Sequence, residues 1–254
     1  MRLIVTEDYD SLSRVGANFV AEIIAANPAA TVVPAMGDTP MRIYAELAAR
    51  RQRRELDTLQ IRVFQLDEYA GIDTEDPRLL YGWLLRSFVA PLGIPESNVV
   101  RLRGDVEDVQ AACRDYESAA HEAGGFDLAI LGLGPNGHLG FNEPPSEPDA
   151  PTRVVELTDE SLESNARYWG GKDRVPRTAV TAGMDLLLAS KQILLVVSGE
   201  HKSEILRRTI NGPATPEVPA SLLQHAANVT VIADRASWPF STAGTQDSDS
   251  WAGK

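Results

Sequence analysis

The chain of 254 residues carries 24 Lys and Arg against 36 Asp and Glu, a formal net charge of −12. That balance argues against a nucleic-acid or anionic-membrane surface, so any bound anion needs local Arg or Lys. The length suits one α/β domain or two small ones, and the single cysteine, Cys113, rules out an internal disulfide and a cysteine-based metal cluster.

The opening MRLIVTEDYD lacks the apolar stretch of a signal peptide, and no apolar run nears the ~18 residues of a membrane span. A cytoplasmic protein is the expectation. Residues 3–6 read as a first strand, and Leu12, Val15, Phe19 and Ile23 follow at helical spacing as one buried stripe. Residues 31–36 form a second strand and run into Gly37-Asp38-Thr39-Pro40. This is a strand-to-helix turn with Thr39 as N-cap and Pro40 as first helical residue. Such a turn holds phosphate on free backbone N–H groups, or it serves as a cap alone. It is no Walker loop, because the Gly-Lys-Ser/Thr ending is missing.

Residues 61–66 are the third strand, and Asp67-Glu68 follow directly. Side chains alternate along such a run, so the two carboxylates diverge. An acid at the rim of an apolar strand is desolvated and becomes a usable base; the plainer alternative is a pair of solvated loop acids. Val109, Cys113 and Tyr116 recur at helical spacing, which makes Cys113 a small core residue.

The fourth strand, 126–133, opens into the stretch LGLGPNGHLGFNEP. Its glycines permit tight turns around His138, with Asn136 before it and Glu143 after it. An imidazole and a carboxylate on one loop suit proton relay between sugar oxygens. A dinucleotide reading fails because the third glycine is mis-spaced, and no second His lies near enough for a metal. A strand at 154–157 precedes a helix at 159–166, with Arg167 just after it. Residues 192–198 then run into Gly199-Glu200-His201-Lys202, and 229–233 close the pattern. Lys202 in a first helical turn is unfavourable to the helix dipole unless an anion joins it.

The runs IRVFQL, FDLAILGLG and QILLVVS are apolar almost throughout, as strands covered on both faces are. The expected fold is a single-domain, largely parallel open sheet of about seven strands with helices on both faces, Rossmann-like. Residues 1–236 make the domain and 237–254 an aperiodic, disordered tail. Ligands of such sheets sit at the carboxyl ends of the strands, where the Gly, carboxylate, His and Lys residues converge.

Taken together, the motifs resemble the glucosamine-6-phosphate deaminase family over about residues 1–235. They are Gly37-Asp38-Thr39-Pro40-Met41, Leu66-Asp67-Glu68-Tyr69-Ala70-Gly71, the stretch from Gly132 to Pro144, Asn165-Ala166-Arg167-Tyr168, Val175-Pro176 and Gly199-Glu200-His201-Lys202. The resemblance implies an enzyme without metal or nucleotide cofactor, whose partner is a small amino-sugar phosphate, acting as a monomer or homo-oligomer. It implies that His138 opens the pyranose ring with Glu143 and Asn136 beside it, and that Asp67 moves a proton between C2 and C1. It also implies that Arg167 and Lys202 hold the phosphate with the backbone of Gly37, Asp38 and Thr39.

Three departures stand out: Asn136 replaces a frequent Asp, Asp38 replaces Gly, Ser or Asn, and Leu79-Leu80 replaces Ser-Tyr. The regulated branch of the family uses a Ser, an Arg and a Lys for an allosteric phosphate. Ser146 and Arg153 match the first two, as a possible remnant, but Val155 stands in the lysine's place.

The nearest competing activity is that of 6-phosphogluconolactonase, whose pattern resembles Gly-Asp-Glu-Arg after the strand and Ser-Leu-Phe-Pro at the loop end. Here those places read Leu-Asp-Glu-Tyr and Phe-Asn-Glu-Pro. Galactosamine 6-phosphate is an alternative substrate. A sugar-phosphate sensor would carry a DNA-binding segment, for which the chain has no room ahead of its first strand.

Overall fold

The computed structural model describes residues 1–240 and the short strand Gln246–Asp247. Strands are β1 (Arg2–Thr6), β2 (Thr31–Pro34), β3 (Arg62–Phe64), β4 (Asp67–Tyr69), β5 (Val99–Val100), β6 (Leu128–Gly132), β7 (Arg153–Glu156), β8 (Thr178–Thr181), β9 (Gln192–Val197), β10 (Val229–Asp234) and β11 (Gln246–Asp247). Helices are α1 (Tyr9–Ala26), α2 (Asp38–Gln52), α3 (Leu80–Leu84), α4 (Val109–Glu122), α5 (Asp159–Trp169), α6 (Met184–Leu188) and α7 (Ser203–Asn211). The main sheet runs β11-β1-β10-β9-β6-β2-β3-β5, and its pairs are parallel.

Successive side chains of its central strands enter opposite cores. Val32 and Ile130 join Leu12, Val20, Ile43 and Tyr44 from α1 and α2. Val33 and Leu131 join Tyr116, Leu187 and Leu206 from α4, α6 and α7. Coverage on both faces is why these strands carry no polar alternation. Cys113 is buried on α4, as its spacing predicts. On α1 the buried face is Leu12, Gly16, Val20 and Ile24; Val15, Phe19 and Ile23 only flank it. That corrects the predicted stripe beyond Leu12.

The strand at 154–157 does not enter the parallel sheet. As β7 it pairs antiparallel with β8, and β8 with β4, in a second, three-stranded sheet. The half-exposed β7 forms an edge there, and β5 and β11 are the strands of the main sheet that the sequence reading left out. A third cluster of Tyr69, Phe141, Leu162 and Trp169 packs between the small sheet and α5.

The packed body continues past residue 236. The Ser237 hydroxyl donates to the Val197 carbonyl (3.0 Å), and Trp238 is buried in the core. Residues 241–245 and 248–254 of the expected disordered tail lie outside the described residues. Among the described residues no helix is long and apolar enough to cross a membrane.

Candidate active site

A cavity of about 620 Å³ opens over the carboxyl ends of β2, β3, β6 and β9, between the main sheet and α5. Its lining includes Gly37, Asp38, Thr39, Asp67, His138, Arg167 and Lys202. The predicted loops therefore do converge on one edge.

After β2, Gly37 adopts φ +147°, a conformation that favours glycine, and itself caps α2. The helix begins at Asp38, so the expectation of Thr39 as N-cap and Pro40 as first residue is corrected by two positions. No side chain caps this end. The first-turn N–H groups have no intrahelical acceptor, and Asp38 and Thr39, which carry the first two, line the cavity.

Beyond β3 the chain leaves the main sheet for the small one, steered by buried Gln65. Its amide donates to the Asp67 carbonyl (2.9 Å) and to Glu68 Oε2 (3.0 Å), while Tyr116 donates to its backbone carbonyl (2.9 Å). The two acids diverge as alternation requires. Glu68 turns inward, accepting N–H bonds from Tyr69 (2.9 Å), Leu80 (3.0 Å) and Tyr81 (2.8 Å), and so anchors the start of α3. Asp67 lines the cavity yet is only 8% exposed. Burial, with the charge of Glu68, pushes its carboxyl up to about 8.

The loop after β6 folds His138 back over Gly134. A Cβ on Gly134 would lie 2.2 Å from the imidazole, so only glycine admits the ring there. His138 Nδ1 lies 3.1 Å from Ser161 Oγ and 3.4 Å from Glu143 Oε2. The same Glu143 oxygen accepts from Asn136 Nδ2 (2.8 Å) and Thr158 Oγ1 (3.1 Å). Burial would raise the Glu143 carboxyl, but His138, Ser161 and Asn136 together hold it down at about 2. A carboxylate fixed at Nδ1 leaves Nε2 as the nitrogen that exchanges protons with a ligand. Asn136 also accepts the His138 backbone N–H (3.2 Å), so its amide donates on one side and accepts on the other. The departure from Asp thus puts a donor, not a second charge, against Glu143.

The phosphate candidates come from two helix ends. Arg167 lies inside α5, which runs three residues beyond the predicted end at 166. Its Nη1 pairs with Asp38 Oδ2 (2.7 Å) and its Nη2 donates to the Tyr168 hydroxyl (2.7 Å). Lys202 closes the turn that precedes α7. Burial, aided by the charge of Arg167, lowers its ammonium to about 8. Arg167 therefore sits close enough to Lys202 to disfavour its charge, an arrangement that a bound anion would relieve.

Ser146 and Arg153 meet each other (2.8 Å), and Arg153 also donates to Asn142 (2.8 Å). They stand outside the cavity lining. Sequence reasoning missed Thr158, Ser161, Tyr168 and Tyr9 as contributors. Thr158 carried a signal, since Thr-Asp-Glu-Ser is a helix start and the hydroxyl accepts the Ser161 N–H (3.3 Å).

Comparison with known proteins gives a consistent set. A family model described as glucosamine-6-phosphate isomerases/6-phosphogluconolactonase matches residues 7–232. A glucosamine-6-phosphate deaminase of Clostridium botulinum (strain Hall) is 36% identical over 235 residues, 92% of this chain and 96% of the relative. One from Halothermothrix orenii is 37% identical over 235 residues, 92% and 98% of the two chains. The solved structure of a monomeric glucosamine-6-phosphate deaminase superposes with a TM-score of 0.91 at 35% identity, covering 93% of this chain and 98% of that one. A 6-phosphogluconolactonase from Trypanosoma cruzi, at 20% identity and a TM-score of 0.74 over 95% and 97% of the chains, shares the fold.

Proposed function

The chain belongs to the family of glucosamine-6-phosphate isomerases and 6-phosphogluconolactonases, and from that premise we propose that it is the deaminating isomerase, converting glucosamine 6-phosphate and water to fructose 6-phosphate and ammonia. The observation that carries this reading is the division of labour between two walls of one cavity. Asp67 offers a rigid, desolvated carboxylate with a proton affinity near neutrality. His138 offers an imidazole oriented by an ionised Glu143.

In this reading the sugar phosphate enters with its phosphate toward Lys202, Arg167 and the start of α2, and that contact positions the reacting carbons. His138 relays the proton from the anomeric hydroxyl to the ring oxygen, which opens the ring. Asp67 takes the C2 proton to give an enolamine and returns a proton at C1. The resulting C2 iminium takes up water, and the carbinolamine expels ammonia to leave the ketose. A lactonase needs water activated at a carbonyl, a task for one general base, whereas here a carboxyl group and an imidazole both line the cavity.

Ammonia release should be measured from glucosamine 6-phosphate, beside galactosamine 6-phosphate and 6-phosphogluconolactone hydrolysis. Turnover of the first supports the reading. Hydrolysis of the lactone without ammonia release from either amino sugar overturns it.

A further inference from the structure

The guanidinium expected to grip the substrate is already engaged by an anion of the protein itself. Arg167 Nη1 pairs with Asp38 Oδ2 at 2.7 Å, and the Tyr168 hydroxyl accepts from Arg167 Nη2 (2.7 Å) while donating to Asp38 Oδ1 (2.9 Å). Asp38 is the first residue of α2, where a phosphate would meet the free N–H groups. Tyr9 steadies this end by donating to the carbonyls of Asp38 (3.0 Å) and Thr39 (3.1 Å).

We infer that the Asp38 carboxylate competes with the substrate's phosphate for Arg167, and thereby sets the affinity of the site for phosphate esters. The inference rests on the reading of this cavity as a sugar-phosphate site. Both partners of the pair are more than half exposed, 57% for Asp38 and 60% for Arg167, so the pair is weak and exchangeable. A phosphate ester, with up to two charges and several acceptor oxygens, outbids one carboxylate for the guanidinium. Affinity is still reduced twice over. The Asp38 contact has to be broken, and a carboxylate then remains beside the bound phosphate. Tyr168 loses its acceptor in the exchange and becomes free to donate to a phosphate oxygen.

The test compares the full chain with Asp38→Asn and Asp38→Ser, titrating inorganic phosphate by calorimetry and measuring KM for glucosamine 6-phosphate. Both variants should bind inorganic phosphate about three- to tenfold more tightly and lower KM by a similar factor. The advantage should shrink as ionic strength rises, since it comes from a partly exposed charge. Two chemically different replacements guard against one that fails to fold, and melting temperatures identify such a case. Unchanged or weaker phosphate binding in the folded variants overturns the inference. If the wild type releases no ammonia from the sugar phosphate, the function reading fails separately, and the phosphate titration still decides the role of Asp38.

Discussion

Asp67 and Glu68 are adjacent in sequence and opposite in use. Glu68 is consumed by backbone N–H groups, while Asp67 is confined with no donor among the described residues to hold its charge. Folding moves the Asp67 carboxyl from an ordinary 3.8 to about 8. Below the unfolded value both states are protonated and stability is whole. As pH rises toward about 8 the unfolded chain ionises first, and stability is progressively lost. Asp67→Asn has nothing to ionise. It should therefore raise the melting temperature relative to wild type at pH 8, by an amount equivalent to a few kcal/mol, and change it little at pH 4. A difference of equal size at both pH values would show that the substitution acts by packing alone. The same shift predicts an acid limb in kcat/KM that climbs through neutrality toward pH 8. The placement of Asp67 and His138 at the cavity was legible because each lies on a segment that follows an apolar strand. Ser161 and Tyr168 were not, because their partners lie 23 and 130 positions away along the chain.

At the scale of elements, α5 bridges the two chemistries. Its first turn, from Thr158 to Ser161, touches Glu143 and His138, and its last turn holds Arg167 and Tyr168 against Asp38. The loop after β6 supplies the other half of that contact, and its geometry depends on the bare backbone at Gly134. Gly134→Ala would set a methyl 2.2 Å from the imidazole and displace the ring from Glu143. The expected result is a fall in kcat of about tenfold or more, with the protein still folded, checked by steady-state kinetics beside a thermal melt. Wild-type kcat in this variant would mean that the ring's placement over Gly134 is immaterial. The long parallel strands announced themselves through unbroken apolar runs. The small antiparallel sheet did not, because β4 and β8 are three and four residues long and β4 reads as Asp-Glu-Tyr. Periodicity has no purchase on segments that short.

For the molecule as a whole, the acidic surface and the cationic cavity fit together. Within a chain of net charge −12, Lys202 and Arg167 bring two cations to this edge of the cavity. Outside that cavity, Ser146 and Arg153 bind each other, and Val155 packs its side chain toward the third core cluster. A second phosphate there would meet one cation already bonded to Ser146 and Asn142. We therefore expect hyperbolic kinetics with little response to N-acetylglucosamine 6-phosphate. A sigmoidal rate curve shifted strongly leftward by that compound would contradict this.

The role proposed for Asp67, carrying the proton between C2 and C1, is tested by incubating Asp67→Asn with glucosamine 6-phosphate in deuterated water. The amide keeps the size of the carboxylate but accepts no proton. Substrate binding should stay within a few-fold, while C2 exchange and ammonia release fall together by roughly 10²–10⁴. Exchange and ammonia release at wild-type rates would show that the base lies elsewhere.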